Sequence, residues 1–123
     1  MNVEELREYC LSFPMSSESF PFDEVTLVIK VAGKMFILFD IEEKPLCANL
    51  KCDPDLAQEL RERYSFVIPG WHMNKRLWNT VEIDSSEATP EMIKDMITHS
   101  YNEVVKGLSK KLQAEIKTLL EEQ

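Results

Sequence analysis

Residues 25–39 have the sequence VTLVIKVAGKMFILF and contain the clearest structural signal in the chain. From Val25 to Val31 the side chains alternate with a period of two, which is typical of a β-strand. Ala32-Gly33-Lys34 forms a tight connection, because glycine supplies the backbone freedom that a hairpin needs. A return strand follows from Met35 to Ile41. The segment therefore predicts a β-hairpin.

The residues on either side of this hairpin predict further strands. A third strand is expected at Leu46–Lys51 and another at Leu77–Ile83. Between them, Ser65–Arg76 is mostly loop with a short extended piece at Phe66–Ile68. Before the hairpin, residues 15–19 (MSSES) are expected to form a polar link without regular structure.

Helix signals surround the strands. Asn2 can cap a first helix, with Glu5 completing a capping box. Asp53-Pro54 and Thr89-Pro90 each combine a cap residue with proline at the first helical position. Ser109 can cap a last helix over residues 109–123, after a break at Gly107. The order of helix, three strands, helix, strand and helices predicts an α+β fold, an antiparallel sheet packed against helices, in one domain spanning residues 1–123.

Composition limits the function classes. The chain has 123 residues, a formal net charge of −8 and a pI near 4.8, which is the wrong sign for a strong nucleic-acid binder. The acids are concentrated at the two ends, and residues 30–81 carry a net charge of +1. No apolar run is long enough to span a bilayer, and the N-terminus is acidic. Three cysteines without a secretion signal indicate reduced thiols, so we expect a cytoplasmic protein.

Signatures of catalysis are missing. The chain has no G-x-S-x-G motif, and its three isolated glycines cannot form a phosphate-binding loop. Cys52, after Lys51 and before a helix, has the most reactive setting of the thiols. A small buried side chain at the end of a strand is the stronger interpretation. We expect no enzyme activity, no cofactor and no structural metal.

Glutamates gather on the first helix. Glu4 and Glu8 lie four residues apart on one face, with Glu5 beside them. Grouped carboxylates suit a hard cation, but acidic residues in a first turn also complement the helix dipole. Cation binding is therefore kept only as an alternative function.

The unusual segment is Pro69–Val81, PGWHMNKRLWNTV. Aromatic planes beside cations are typical of surfaces that bind nucleic acid, and an asparagine can contact a base edge. Alternatively, one tryptophan fills the core and the polar side chains hold the loop together. The candidate binding residues here are Trp71, His72, Asn74, Lys75 and Arg76.

Taken together, these motifs resemble the MmcQ/YjbR family. The resemblance rests on Phe20-Pro21-Phe22, IKVAGKMF at 29–36, LKCDP at 50–54, the Pro69–Val81 segment and Ser100-Tyr101. It covers about residues 3–106 and does not include the last helix. It implies a fold like that of frataxin and CyaY, and a DNA-binding role through a "double wing".

Carried onto this chain, the resemblance makes Val28–Ile37 one wing and the loop through Lys75 the other. It implies phosphate contacts from Lys30, Lys34, Lys51, Lys75 and Arg76, with Trp71, His72 and Asn74 nearby. The frataxin-like shape also supports the cation alternative.

The sequence thus predicts a monomeric, non-enzymatic module that binds DNA weakly and in a salt-sensitive manner. Two alternatives stay open. One is a protein partner bound through the Trp-rich loop at residues 70–80. The other is a cation bound at the first helix.

Overall fold

The predicted hairpin lies inside a six-stranded, wholly antiparallel sheet in the computed structural model, which describes residues 1–123. In space the strands follow the order β1-β2-β3-β4-β6-β5. Their bounds are β1 Ser16–Ser19, β2 Thr26–Val31, β3 Lys34–Asp40, β4 Cys47–Lys51, β5 Val67–Pro69 and β6 Trp78–Glu82. The α+β fold is confirmed.

Four helices accompany the sheet, and each begins at a residue whose side chain accepts a hydrogen bond from a backbone amide of the first turn. The caps are those expected, including the capping box of Asn2 and Glu5. The helices are α1 Val3–Leu11, α2 Pro54–Arg63, α3 Pro90–Val105 and α4 Lys110–Glu121.

One face of the sheet is covered by helices, and α3 packs across β2, β3 and β4. Strand pairing places Leu27 beside Phe39, and Ile37 beside Leu50, on this face. A register shift after Ile29 adds one residue to β3. As a result Phe36 and Ile37 are both fully buried, and the Phe36 ring lies 5.4 Å from that of Tyr101 on α3.

Residues 15–19 differ from the expectation of a polar link. Ser16–Ser19 forms β1, which pairs with β2 at the edge of the sheet. Its residues are half-buried or exposed, so it shows no apolar alternation. Backbone hydrogen bonds to β2 and an ion pair between Arg7 of α1 and Glu18 fix it in place.

Ser100 connects α3 to the sheet from within the core. Its hydroxyl donates to the Phe36 carbonyl and accepts from the Lys51 amide at 2.8 Å. The neighbouring Tyr101 hydroxyl donates to the Pro14 carbonyl at 2.8 Å. These three bonds satisfy buried polar groups, and they tie α3 to β3, β4 and the end of the α1 region.

Candidate ligand-binding face

The sheet face opposite the helices is the candidate site, because helices leave it open and two loops border it. We call it the open face. Strand alternation assigns to it the residues between the core positions of each strand. Its charges are polarised along the strands. Lys30 and Lys51 lie at one end, whereas Asp40 and Glu82 lie at the other.

The basic end of the open face is formed by residues from separate segments. Lys30 and Lys51 flank β3, two strands apart, which corresponds to about 10 Å. Lys34 lies at the adjoining hairpin tip, but it is paired with the core residue Val31, so strand alternation does not assign it to the open face. The loop that carries Lys75 and Arg76 leads into β6 at Trp78, directly opposite Lys51. The sequence-predicted phosphate contacts therefore lie toward the same end of the sheet.

None of these five cations is neutralised by an ion pair. The ion pairs of the structure are Arg7–Glu18 and Lys106–Glu103, and both lie elsewhere. The Lys75 ammonium does donate to the Gly70 carbonyl at 3.2 Å, so it also holds the loop closed. The basic end thus presents positive charge on a molecule that is acidic as a whole.

The loop between β5 and β6 folds back over the open face. The Trp71 amide donates to the Thr80 hydroxyl at 2.9 Å, and the Asn49 amide group donates to the Trp71 carbonyl at 3.3 Å. Gly70 lies against β6, where its amide donates to the Trp78 carbonyl at 2.9 Å. These contacts fix Trp71 above the middle of the sheet.

Arg61 of α2 holds the other end of this loop, and the sequence pattern did not reveal it. Its guanidinium donates to the Asn79 side chain at 2.6 Å, to the Trp78 carbonyl at 3.1 Å and to the Lys75 carbonyl. A charged residue on a helix is usually solvated. The residues four positions before and after Arg61 do not indicate any other role for it. Only the packing of α2 beside β5 brings it to the loop.

Between the loop and the residues before β2 lies a groove of about 520 Å³, which we call the Trp71 groove. Trp71 and His72 form one wall, with stacked rings 5.2 Å apart, and Phe22 lies on the other side. Met35 and Leu38 of β3 contribute to its apolar floor. Of the two tryptophans, Trp71 is 64% exposed and Trp78 only 8%.

Three carboxylates also line the Trp71 groove, namely Asp23, Asp40 and Glu43, and no lysine or arginine does. The pKa of Asp23 is lowered, mainly because its carboxylate accepts from the Thr26 amide and then from the Val25 amide. One oxygen of Asp40 accepts from the Glu42 amide. The groove is therefore anionic, in contrast to the basic end.

The candidate residues of the Trp-rich segment thus separate into two groups. Trp71 and His72 line the anionic groove, whereas Lys75 and Arg76 belong to the basic end. Asn74 shapes the loop, since its side-chain oxygen accepts from the Arg76 amide at 3.0 Å. His72 has a positive φ of 60°, a conformation that is uncommon for residues other than glycine.

Cys10 and Cys52 are buried, whereas Cys47 is half-buried. Burial raises the pKa of Cys10 to about 12 and that of Cys52 to about 11. Desolvation is also the main reason that the pKa of Cys47 is raised to about 11. The burial of Cys52 agrees with the interpretation as a small buried side chain at the end of a strand.

The glutamates of α1 do not belong to a cluster of metal-ligating side chains. The Glu5 carboxylate accepts from the Asn2 amide in the capping box. Nowhere in the chain do three or more His, Cys, Asp or Glu side chains gather in a way that could hold a metal ion. None of the four helices has the length and apolar character needed to cross a bilayer.

The fold and the open face together define a class of α+β proteins whose antiparallel sheet is covered by helices on one side only. The family model described as YjbR matches residues 11–103. The chain belongs to the YjbR family. The matched residues include the hairpin, the Trp-rich loop and most of α3, but not α4.

Relatives in Escherichia coli have names that assign no activity. The uncharacterized protein YjbR of strain K12 is 34% identical over 106 residues, covering 85% of this chain and 88% of that protein. The uncharacterized protein YbdF of strain O157:H7 is 32% identical over 114 residues, covering 93% of each.

Solved structures share the fold. The Deinococcus radiodurans protein DR2400, described by the domain DUF419, has a TM-score of 0.87 and 38% identity, covering 94% of this chain and 88% of that one. A Pseudomonas syringae protein has a TM-score of 0.71 at 21% identity, covering 83% and 97%. The second likeness concerns the fold alone.

Proposed function

We propose that this protein is a non-catalytic binding module that contacts nucleic-acid phosphates through the basic end of the open face and the adjoining hairpin tip. One observation carries the proposal: five cations from separate chain segments lie toward this end of the sheet, and none has a carboxylate partner. Unpaired lysine and arginine side chains are the groups that neutralise phosphates and release counterions. The five are Lys30, Lys34, Lys51, Lys75 and Arg76.

The net charge of −8 weakens such binding without preventing it. Exposed charges farther apart than about 10 Å are largely screened at 0.1 M salt. The three helices with a net negative charge, α1, α2 and α3, lie behind the sheet, so a phosphate at the basic end is affected mainly by its nearest cations. The result is a weak, strongly salt-dependent interaction that contacts phosphates and carries little base specificity.

A non-catalytic role agrees with the placement of the reactive groups. His72 borders the open face, whereas His99 of α3 accepts from the Asp53 amide at 3.1 Å on the helix side. The buried thiols have raised pKa values and stay protonated at neutral pH. Cys52 and His99 line one cavity on the helix side, but the Nε2 atom of His99 already accepts from the Asp53 amide, so it is not free to act as a base toward the thiol.

A charge-reversal pair tests the proposed phosphate contacts. In Lys34→Glu/Arg76→Glu both changed side chains are exposed and have no side-chain partner, so the fold is expected to stay intact. Five phosphate contacts predict a slope of about −4.5 for log affinity against log salt on duplex DNA, and loss of two reduces it to about −2.7. Fluorescence anisotropy of a labelled 20-base-pair duplex, titrated from low to physiological salt, measures both slopes.

Lys110→Glu/Lys117→Glu on α4 is the matched control, since it changes the net charge equally on another element. We expect the control to keep the steep slope. Equal losses in both variants would contradict the assigned site and leave only a global charge effect. No binding by the unmodified protein at about 20 mM salt would contradict the function itself.

A further inference from the structure

We propose that the Trp71 groove binds a cationic side chain, a lysine presented by a basic segment of a protein partner. This goes beyond phosphate binding and uses other residues on the same face. The juxtaposition that carries it is an exposed aromatic wall beside three carboxylates, with no cation of the protein between them. Each feature has a separate role in recognising an ammonium group on a long apolar stem.

The aromatic wall provides a surface for a cation. Trp71 and His72 are stacked with 19° between their planes, and Trp71 remains 64% exposed. Across the groove Phe22 is 67% exposed. The faces of tryptophan and phenylalanine attract a cation through their quadrupoles, and tryptophan does so most strongly. Hydrogen bonds between the Trp71 backbone and the side chains of Thr80 and Asn49 hold this residue in place before any ligand arrives, which limits the entropy lost on binding.

The carboxylates determine the sign of the charge that a ligand of the groove must carry. Asp23, Asp40 and Glu43 give the groove a formal charge of −3 at neutral pH. The Asp23 oxygens are occupied by the Val25 and Thr26 amides and the Thr26 hydroxyl. Asp40 keeps one oxygen without a protein partner, and Glu43 accepts no hydrogen bond from the protein. A phosphate would be repelled here, so the groove is separate from the proposed nucleic-acid contacts.

The floor fits the stem of a lysine better than a small inorganic cation. Met35, Leu38 and Met73 line the groove with apolar surface, and the methionines adapt to a flexible chain. A lysine buries its four methylenes on such a surface while its ammonium stays near carboxylates and water. A bare metal ion would gain nothing from these residues, and no cluster of three ligating side chains exists for one.

Titration with a lysine peptide tests the inference. The probe is a capped heptapeptide with lysine at positions 2, 4 and 6 and glycine elsewhere, and its control carries acetyllysine at the same positions. Two-dimensional NMR follows the Trp71 and Trp78 indole N–H signals separately. We expect the lysine peptide to shift the Trp71 signal and the backbone signals of Leu38 and His72. The acetylated peptide is expected to bind at least about tenfold more weakly, because it has lost the charge.

Matched variants separate the groove from the general acidity of the protein. Asp40→Asn/Glu43→Gln removes two groove charges, and asparagine keeps an oxygen to accept from the Glu42 amide. Glu59→Gln/Glu121→Gln removes two exposed charges on α2 and α4. We expect the first pair to weaken peptide binding about tenfold at 50 mM salt and the second by less than about twofold. Trp71→Ala should also weaken it.

Three results would overturn the inference: equal losses in the two paired variants, equal binding of the acetylated peptide, or signal changes outside the groove. Lys34→Glu/Arg76→Glu is expected to leave peptide binding intact, so failure of nucleic-acid binding would not be confused with failure here. If a single-stranded oligonucleotide shifts the Trp71 signal and displaces the peptide, the groove stacks bases and the lysine assignment is wrong.

Discussion

Gly70 shows how a single residue determines the shape of the Trp-rich loop. A Cβ atom at this position would lie 2.8 Å from both the Cβ atom and the carbonyl oxygen of Trp78. Real side chains do not approach that closely, so the loop can cross β6 here only if residue 70 lacks a side chain. The requirement concerns space, since the backbone of Gly70 does not have a positive φ.

We therefore expect Gly70→Ala to reduce the free energy of unfolding by about 1–3 kcal/mol, because the loop or β6 must move. The urea midpoint measures this. Gly107→Ala is the matched control, since its added Cβ would lie at an ordinary 3.4 Å from the Val104 carbonyl. A Gly70→Ala protein as stable as its control would show that the loop moves freely. That result would contradict the argument that Trp71 is fixed before a ligand binds.

At the scale of elements, the hairpin and helices were predictable because local signals agree with their tertiary positions. The side chains of Val25–Val31 alternate in polarity because one face of β2 meets the core. The helices begin at cap residues, whose side chains accept hydrogen bonds from first-turn amides that have no partner within the helix. β1 was missed for the opposite reason. Its side chains are polar or exposed on both faces, so nothing in Ser16–Ser19 distinguishes an edge strand from a loop.

The residues of the candidate site were predictable from the sequence, but their arrangement was not. The Trp-rich segment and the lysines were identified from local chemistry, yet their division into a basic end and an anionic groove depends on strand register. Asp40 and Glu43 sit in an ordinary turn in the sequence, and Arg61 resembles a solvated helix residue. Such long-range placements have no local pattern, because only the paired strands and packed helices bring the residues together.

The ion pair between Arg7 and Glu18 fastens β1 to α1 and predicts a pH dependence. The pKa of Glu18 lies below its ordinary value of 4.5, mainly because Arg7 donates hydrogen bonds to it and also because of the Arg7 charge. A carboxylate whose pKa is lowered by folding contributes stability above its unfolded pKa, and that contribution is lost as the pH falls through the folded pKa.

Glu18→Gln should consequently be less stable than the unmodified protein at pH 7 by less than about 1 kcal/mol, since the pair is partly exposed. Below the folded pKa of Glu18 the difference should vanish. Urea unfolding at pH 7, 4 and 2 measures it, and Arg7→Gln should give the same convergence. A difference that persists at pH 2 would mean that Glu18 acts through packing and not through its charge.

At the scale of the whole molecule, opposite charges occupy neighbouring regions on one side of the sheet. The −8 chain keeps five unpaired cations toward one end of the sheet and an anionic groove on the open face, with the helices behind. Two ligands of opposite sign can therefore use one face without competing for the same side chains. Local charge, and not the net value, decides what each region attracts, because distant exposed charges are screened.

Whether α4 belongs to this unit is a question about the entire fold, since the helix lies beyond the residues that the family model matches. Ile116 is 2% exposed and joins the core cluster, whereas Leu119, one turn further on, is 39% exposed. If α4 folds together with the sheet, removing the Ile116 side chain must weaken every part of the molecule equally. Ile116→Ala is then expected to cost about 2–4 kcal/mol, and Leu119→Ala less than about 1 kcal/mol.

Two probes establish whether the loss is global. Far-ultraviolet circular dichroism follows all helices, while tryptophan fluorescence reports on Trp71 and Trp78 around the open face. Coincident urea transitions, both shifted by Ile116→Ala, would show that α4 and the open face unfold as one cooperative unit. If Ile116→Ala shifts the circular dichroism transition but leaves the fluorescence transition unchanged, α4 unfolds independently of the sheet. In that case the sheet, with both proposed binding regions, would be stable without α4.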